Sequence, residues 1–117
     1  ADRAAAASAR AVSEREALVL RAARRAADLD ARNAHRDFSS ALRQLEIQRK
    51  SASLAQRDYR LQAADERRGL VTAIEVLQSL DRLNISNLAF NDALVQARLA
   101  GLSLEIAAGA APEELLK

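Results

Sequence analysis

From Asp2 to Arg68 the chain contains neither proline nor glycine, and this constrains its fold more than any motif does. Those two residues are the usual interrupters of a helix. What fills the stretch instead is Ala, Leu, Arg, Glu and Gln, all strong helix formers. The chain has 28 Ala among 117 residues and only 3% aromatics. A wide compact core needs large apolar side chains, whereas Ala lets helices approach closely along a thin contact. The expectation is an all-α chain whose first helix, about 66 residues, spans roughly 100 Å at about 1.5 Å per residue.

Such a rod needs a partner along its side, because propensity alone does not hold it together in water. One seam reads Ala27, Ala31, Ala34, Phe38, Ala41, Leu45, Gln48, Ala52, Ala55 and Tyr59. Its steps of three and four are the coiled-coil period. Leu42, Ile47, Leu54 and Leu61 fall outside it, so the apolar surface is broader than one stripe.

The break comes at Arg67-Arg68-Gly69-Leu70-Val71-Thr72. Two arginines place positive charge in a last helical turn, and Gly69 can take the left-handed conformation that closes a helix. Thr72-Ala-Ile-Glu75 reads as a capping box, in which the hydroxyl accepts from the Glu75 amide and the carboxylate accepts from the Thr72 amide. Val71 and Val76 occupy the two positions of a hydrophobic staple. Stop, turn and restart within about four residues predict an antiparallel helical hairpin.

The second helix is predicted to run from Ala73 to about Ala108, roughly 36 residues, with Gly109 closing it. Its seam reads Ala73, Val76, Leu80, Leu83, Asn87, Phe90, Leu94, Ala97, Gly101, Leu104 and Ala108. Asn87 is expected to fix register, as buried polar seam residues do, and Gly101 to permit close approach. A neighbouring row of Ile74, Leu77, Leu88, Val95 and Leu102 lets this helix touch more than one neighbour. The chain thus divides into a first helix (1–68), a tip (69–72), a second helix (73–109) and the start of a following element (110–117), where Pro112-Glu113-Glu114 suits a first helical turn.

Folding about the tip makes facing residue numbers sum to about 141. Phe90 then lies near Ser51, Leu83 near Asp58, and Ala108 near Asn33, and residues 1 to about 30 are left without a partner. Their apolar positions, among them Val12, Leu18, Val19 and Leu20, predict homo-oligomerisation or membership of a larger helical assembly.

Residues 69–109 resemble the periplasmic turn of TolC-type outer-membrane efflux proteins. In that family a long helix ends at Gly, an acidic residue precedes Val and often Leu, and a helix rich in Ala, Asn and Leu closes on a small residue plus Gly. Gly69, Glu75-Val76-Leu77, Ala97-Arg98 and Ala107-Ala108-Gly109 stand at those positions, and Ala34-His35 falls where the family often has Ala-Tyr. The resemblance implies the periplasmic hairpin of one of two structural repeats in a homotrimeric outer-membrane channel. Such a channel exports solutes with an adaptor protein and an inner-membrane pump. It also implies adaptor contact through Arg67, Arg68, Gly69, Leu70, Val71 and Thr72, with opening by helix repacking. Glu75 would then be either the cap of Thr72 or a charge at the pore constriction, and the two roles are compatible. An unrelated coiled-coil scaffold or interaction module is the alternative, and an amphipathic lipid-surface binder a weaker third.

Other function classes have little to stand on. Residues 1–68 carry 15 Arg/Lys against 10 Asp/Glu, and residues 69–117 carry 3 against 6. The opposite signs suit antiparallel pairing. Because acidic residues interrupt the basic ones throughout, nucleic-acid binding is not expected. His35 is the only histidine and cysteine is absent, so no metal or other cofactor is expected. No apolar run approaches the ~20 residues of a membrane-spanning helix, and no signal peptide is read. Without a nucleophile–base spacing or a phosphate loop, catalysis is not expected either. Phe38, Leu45, Tyr59, Val76, Leu80, Leu83, Phe90, Leu94 and Leu104 are read as coiled-coil packing.

Overall fold

A computed structural model describes residues 2–109, and these form a two-helix hairpin. Helix α1 runs from Asp2 to Arg67 and α2 from Ala73 to Ala107. The expected element at 110–117 lies outside the described residues. The molecule measures 100 × 26 × 15 Å, so it is one α1 long and two helices wide.

Among the described residues, only the part of α1 from Ala31 onward has a partner. Every described residue before it is exposed, including Val12, Leu18, Val19 and Leu20. From there α1 buries Ala31, Ala34, Phe38, Ala41, Leu45, Gln48, Ala52, Ala55, Tyr59 and Gln62 in part, in unbroken steps of three and four. Ala27, expected in this seam, is exposed. It lies beyond the level of Ala107, where α2 ends, so no described residue stands opposite it.

The α2 side differs from its sequence reading in an instructive way. Val76, Leu80, Leu83, Phe90, Leu94, Ala97, Gly101 and Leu104 turn inward, but Ala73, Asn87 and Ala108 are exposed. Asn87 therefore fixes no register within the hairpin. The deepest positions are small: Ser79 is 0% exposed, Ala97 5% and Ala93 7%, with Ser86, Ala89, Ala100 and Ala107 half-buried beside them. Small side chains sit at the line of closest approach, and larger ones flank it. This arrangement maximises backbone proximity between two slender helices. The Ser79 hydroxyl would be costly there if left unpaired, and it donates to the Val76 carbonyl oxygen at 2.7 Å.

Two contacts fix the longitudinal register. Phe38 lies over Gly101, where an added Cβ would stand 3.2 Å from its Cε2 atom. Arg82 donates from Nη2 to Asp58 Oδ2 at 3.2 Å. Both agree with the facing rule drawn from the turn.

Candidate functional site: the tip and the two grooves

The tip is built almost wholly from backbone hydrogen bonds and one reciprocal pair of side-chain bonds. The Leu70 amide donates to the Asp65 carbonyl at 2.9 Å, and the Gly69 amide to the Glu66 carbonyl at 2.9 Å. This pairing is a Schellman closure, and it needs the left-handed conformation that Gly69 adopts at φ 74°. Three residues later Thr72 starts α2. The Glu75 amide donates to Thr72 Oγ1 at 3.2 Å, while the Thr72 amide donates to Glu75 Oε2 at 2.9 Å. Both halves of the capping box are therefore made.

Arg67, Arg68, Gly69, Leu70, Thr72 and Glu75 are exposed at this end, and Val71 is half-buried, as is its staple partner Val76. Leu70 stands bare at the apex. The Gln62 amide oxygen beside the tip is buried with no hydrogen-bond partner. It borders a hollow shared with Val71, Glu75, Gln78 and Arg82.

The nine residues read as coiled-coil packing are all half-buried, and they divide two unlike grooves. One is apolar, lined by Phe38, Leu42, Leu45, Leu94, Gly101 and Leu102. The opposite groove is polar, with Asp37, Gln44, Gln48, Asp92 and Gln96 along its walls and Asp30 and Asn33 at its open end.

That second groove corrects the impression of scattered charge. Taken every seventh residue, α1 reads Asp2, Ala9, Glu16, Ala23, Asp30, Asp37, Gln44, Ser51, Asp58, Asp65. Six of the ten acids of α1 lie in this one row, which contains no Arg or Lys. A linear scan sees acids interrupting bases; only the helical period separates them. The remaining ion pairs are local, with Arg49 clamping Glu46 through Nε at 2.9 Å and Nη2 at 2.6 Å. That hydrogen bond holds the exposed Glu46 carboxyl below its ordinary pKa.

The helices also leave two apolar strips bare. On α1 these are Ile47, Leu54 and Leu61; on α2 they are Ile85, Leu88, Val95, Leu99, Leu102 and Ile106. Among the described residues, no cluster of three or more His, Cys, Asp or Glu is placed to hold a metal, and no helix is long and apolar enough to cross a membrane. His35 is exposed on α1. No family model matches the chain, and no curated protein or solved structure matches it.

Proposed function

We propose that this chain is one stave of a helical tube, the periplasmic hairpin of a TolC-type outer-membrane efflux channel. The channel would work by docking and helix repacking, without chemistry of its own. The residues around Gly69 and along α2 suggest the family. The observation that carries the reading is the placement of the bare strips.

In a coiled coil each residue advances about 103° around the helix. On α1 the strip of Ile47, Leu54 and Leu61, with Arg43, Lys50 and Arg57 beside it, is centred about 150° from the paired seam. On α2 the strip of Leu88, Val95 and Leu102, with Ile85, Leu99 and Ile106 beside it, is centred about 180° from its seam, directly opposite it. The α1 strip leans toward the acidic groove, on whose wall its row-mate Ser40 stands, whereas the α2 strip reaches the acidic groove through Leu99 and the apolar one through Leu102. A sheet of such hairpins would bend by some 25–30° at each α1, always toward the acidic groove, and such a one-sided bend is what a closed tube requires. The acidic groove would line the inside, and the tip residues Arg67 to Thr72 would form one rim, available to an adaptor and its pump. On this reading Glu75 caps α2 when the rim is closed and joins the inner charge when it opens.

The test is the gene and its product. The reading expects strand segments of about ten alternating residues and a second hairpin repeat beside this one, with the product fractionating as an outer-membrane trimer. A gene lacking both, with its product elsewhere, leaves a coiled-coil scaffold instead.

A further inference from the structure

We infer that the length of α1 beyond the end of α2 pairs with the same length of a second copy of this chain. The two run antiparallel about a two-fold axis beside Arg15 and Glu16, so their tips point in opposite directions. The inference goes beyond the efflux reading and rests on no part of it.

Every residue of α1 from Asp2 to Asp30 is exposed, but its faces differ. Steps of four and three link Ala5, Ala9, Val12, Glu16, Val19, Ala23 and Ala26 into one seam. With the row on either side of it, this seam takes in 15 of the 25 residues from Ala5 to Leu29, and only Arg15 and Glu16 among them are charged. Of the ten residues on the remaining face, six are charged. Charge kept so strictly to one side marks the other side as the buried one, and its many Ala allow a partner helix to come close.

The order of residues selects the occupant. Read along the chain the seam is Ala, Ala, Val, Glu, Val, Ala, Ala, the same in both directions. A palindrome is what an isologous contact requires, since there residue i meets j and j meets i. Antiparallel pairing about its centre sets Ala5 against Ala26, Ala9 against Ala23 and Val12 against Val19. The two Glu16 carboxylates come near the axis, and Arg15 of each copy flanks the Glu16 of the other. The only charges on the face are thereby matched across it.

Other pairings fail on charge. A parallel pair would carry the same seam farther along α1, where it reaches Asp30, Asp37, Asp58 and Asp65, and would stack each aspartate on its own copy. Sliding the antiparallel pair by one heptad moves Arg15 about 10 Å from the opposite Glu16 and leaves the carboxylate beside Ala9 or Ala23 instead. The bare strip of α2 carries Asp92 and no base, so it gives Glu16 nothing to pair with. Joined as inferred, two chains make a spacer about 155 Å long at ~1.5 Å per residue, with one tip at each end.

The 117-residue chain has no cysteine, so introduced thiols report cleanly. A mixture of Val12→Cys and Val19→Cys chains is expected to form a disulfide-linked dimer on oxidation. Either variant alone is not, because its two thiols stand about 10 Å apart along the axis. X-ray scattering from the wild-type dimer should give a length of about 155 Å, against 100 Å for one hairpin. Glu16→Arg and Arg15→Glu should each weaken self-association about tenfold, and mixing the two variants should restore it. Self-linkage of Val12→Cys alone would overturn the antiparallel pairing. A wild-type chain that stays monomeric at high concentration, or a dimer still 100 Å long, would overturn the contact itself. The efflux reading is untouched by either result and is decided separately by the gene.

Discussion

Replacing Thr72 with Ala removes one acceptor and leaves the rest of the tip in place. The Glu75 amide loses the hydroxyl that it reaches at 3.2 Å, and the Glu75 carboxylate keeps the Thr72 amide at 2.9 Å. Exposed caps of this kind contribute about 1 kcal/mol, and substitution by Gly costs only a few tenths because water reaches the freed amide. The part of the hairpin that unfolds together is the paired part, roughly 80 residues from Ala31 to Ala107. Its unfolding entropy is about 0.17 kcal/mol/K at ~2.1 cal/mol/K per residue. Thr72→Ala should therefore lower Tm by about 6 °C, followed by circular dichroism at 222 nm. Thr72→Ser should stay within about 2 °C of the parent. Amide exchange should quicken at Ala73 to Val76 in the Ala variant. An unchanged Tm, or a Ser variant as weak as the Ala one, would refute the capping argument.

Three other substitutions test separate parts of the same frame. Gly69→Ala must hold a side chain at φ 74° and should cost about 1 kcal/mol, with Gly69→Asn milder; equal urea midpoints for the two would count against the Schellman closure. Gly101→Leu drives atoms into Phe38, already 3.2 Å from where a Cβ would sit, and should cost about 1–3 kcal/mol in chemical denaturation. If Phe38→Ala fails to relieve that cost, the wedge is misplaced. Gln62→Leu removes the unpaired buried amide oxygen and should raise stability by about 1 kcal/mol, a gain readable as a higher Tm.

The turn was legible in the sequence because its chemistry is local. Gly69, Thr72 and Glu75 interact within a few residues, and their spacing alone dictates both helix ends. The α1 seam was legible for a different reason: from Ala31 to Tyr59 the small and apolar residues fall at one period against a strongly charged background. On α2 the background is itself apolar. Ile85, Leu88, Val95 and Leu99 compete with Leu83, Phe90 and Leu104 for the inward face, so periodicity points two ways. Choosing the larger side chains placed Asn87 inward, whereas closest approach selects Ser79, Ser86, Ala93 and Ala100. Size, not hydrophobicity, decides that line, and it becomes visible only when both helices are set side by side. The acidic row escaped for a related reason, since a count along the chain mixes positions that the helix keeps apart.

The small residues of the α1–α2 seam have a mechanical consequence. A contact made of Ala and Ser has shallow corrugation, so one helix can glide along the other without first withdrawing interlocked side chains. Phe38 seated at Gly101, a ring in a notch, opposes that glide as a detent, and the Arg82–Asp58 bond opposes it nearer the tip. The short turn from Arg68 to Thr72 limits its travel at the closed end. Near the tip the helices are held by the chain itself and by the Arg82–Asp58 pair, and at the far end by Phe38. Strain applied at the apex would therefore be felt first as a small axial slip that stops at Phe38.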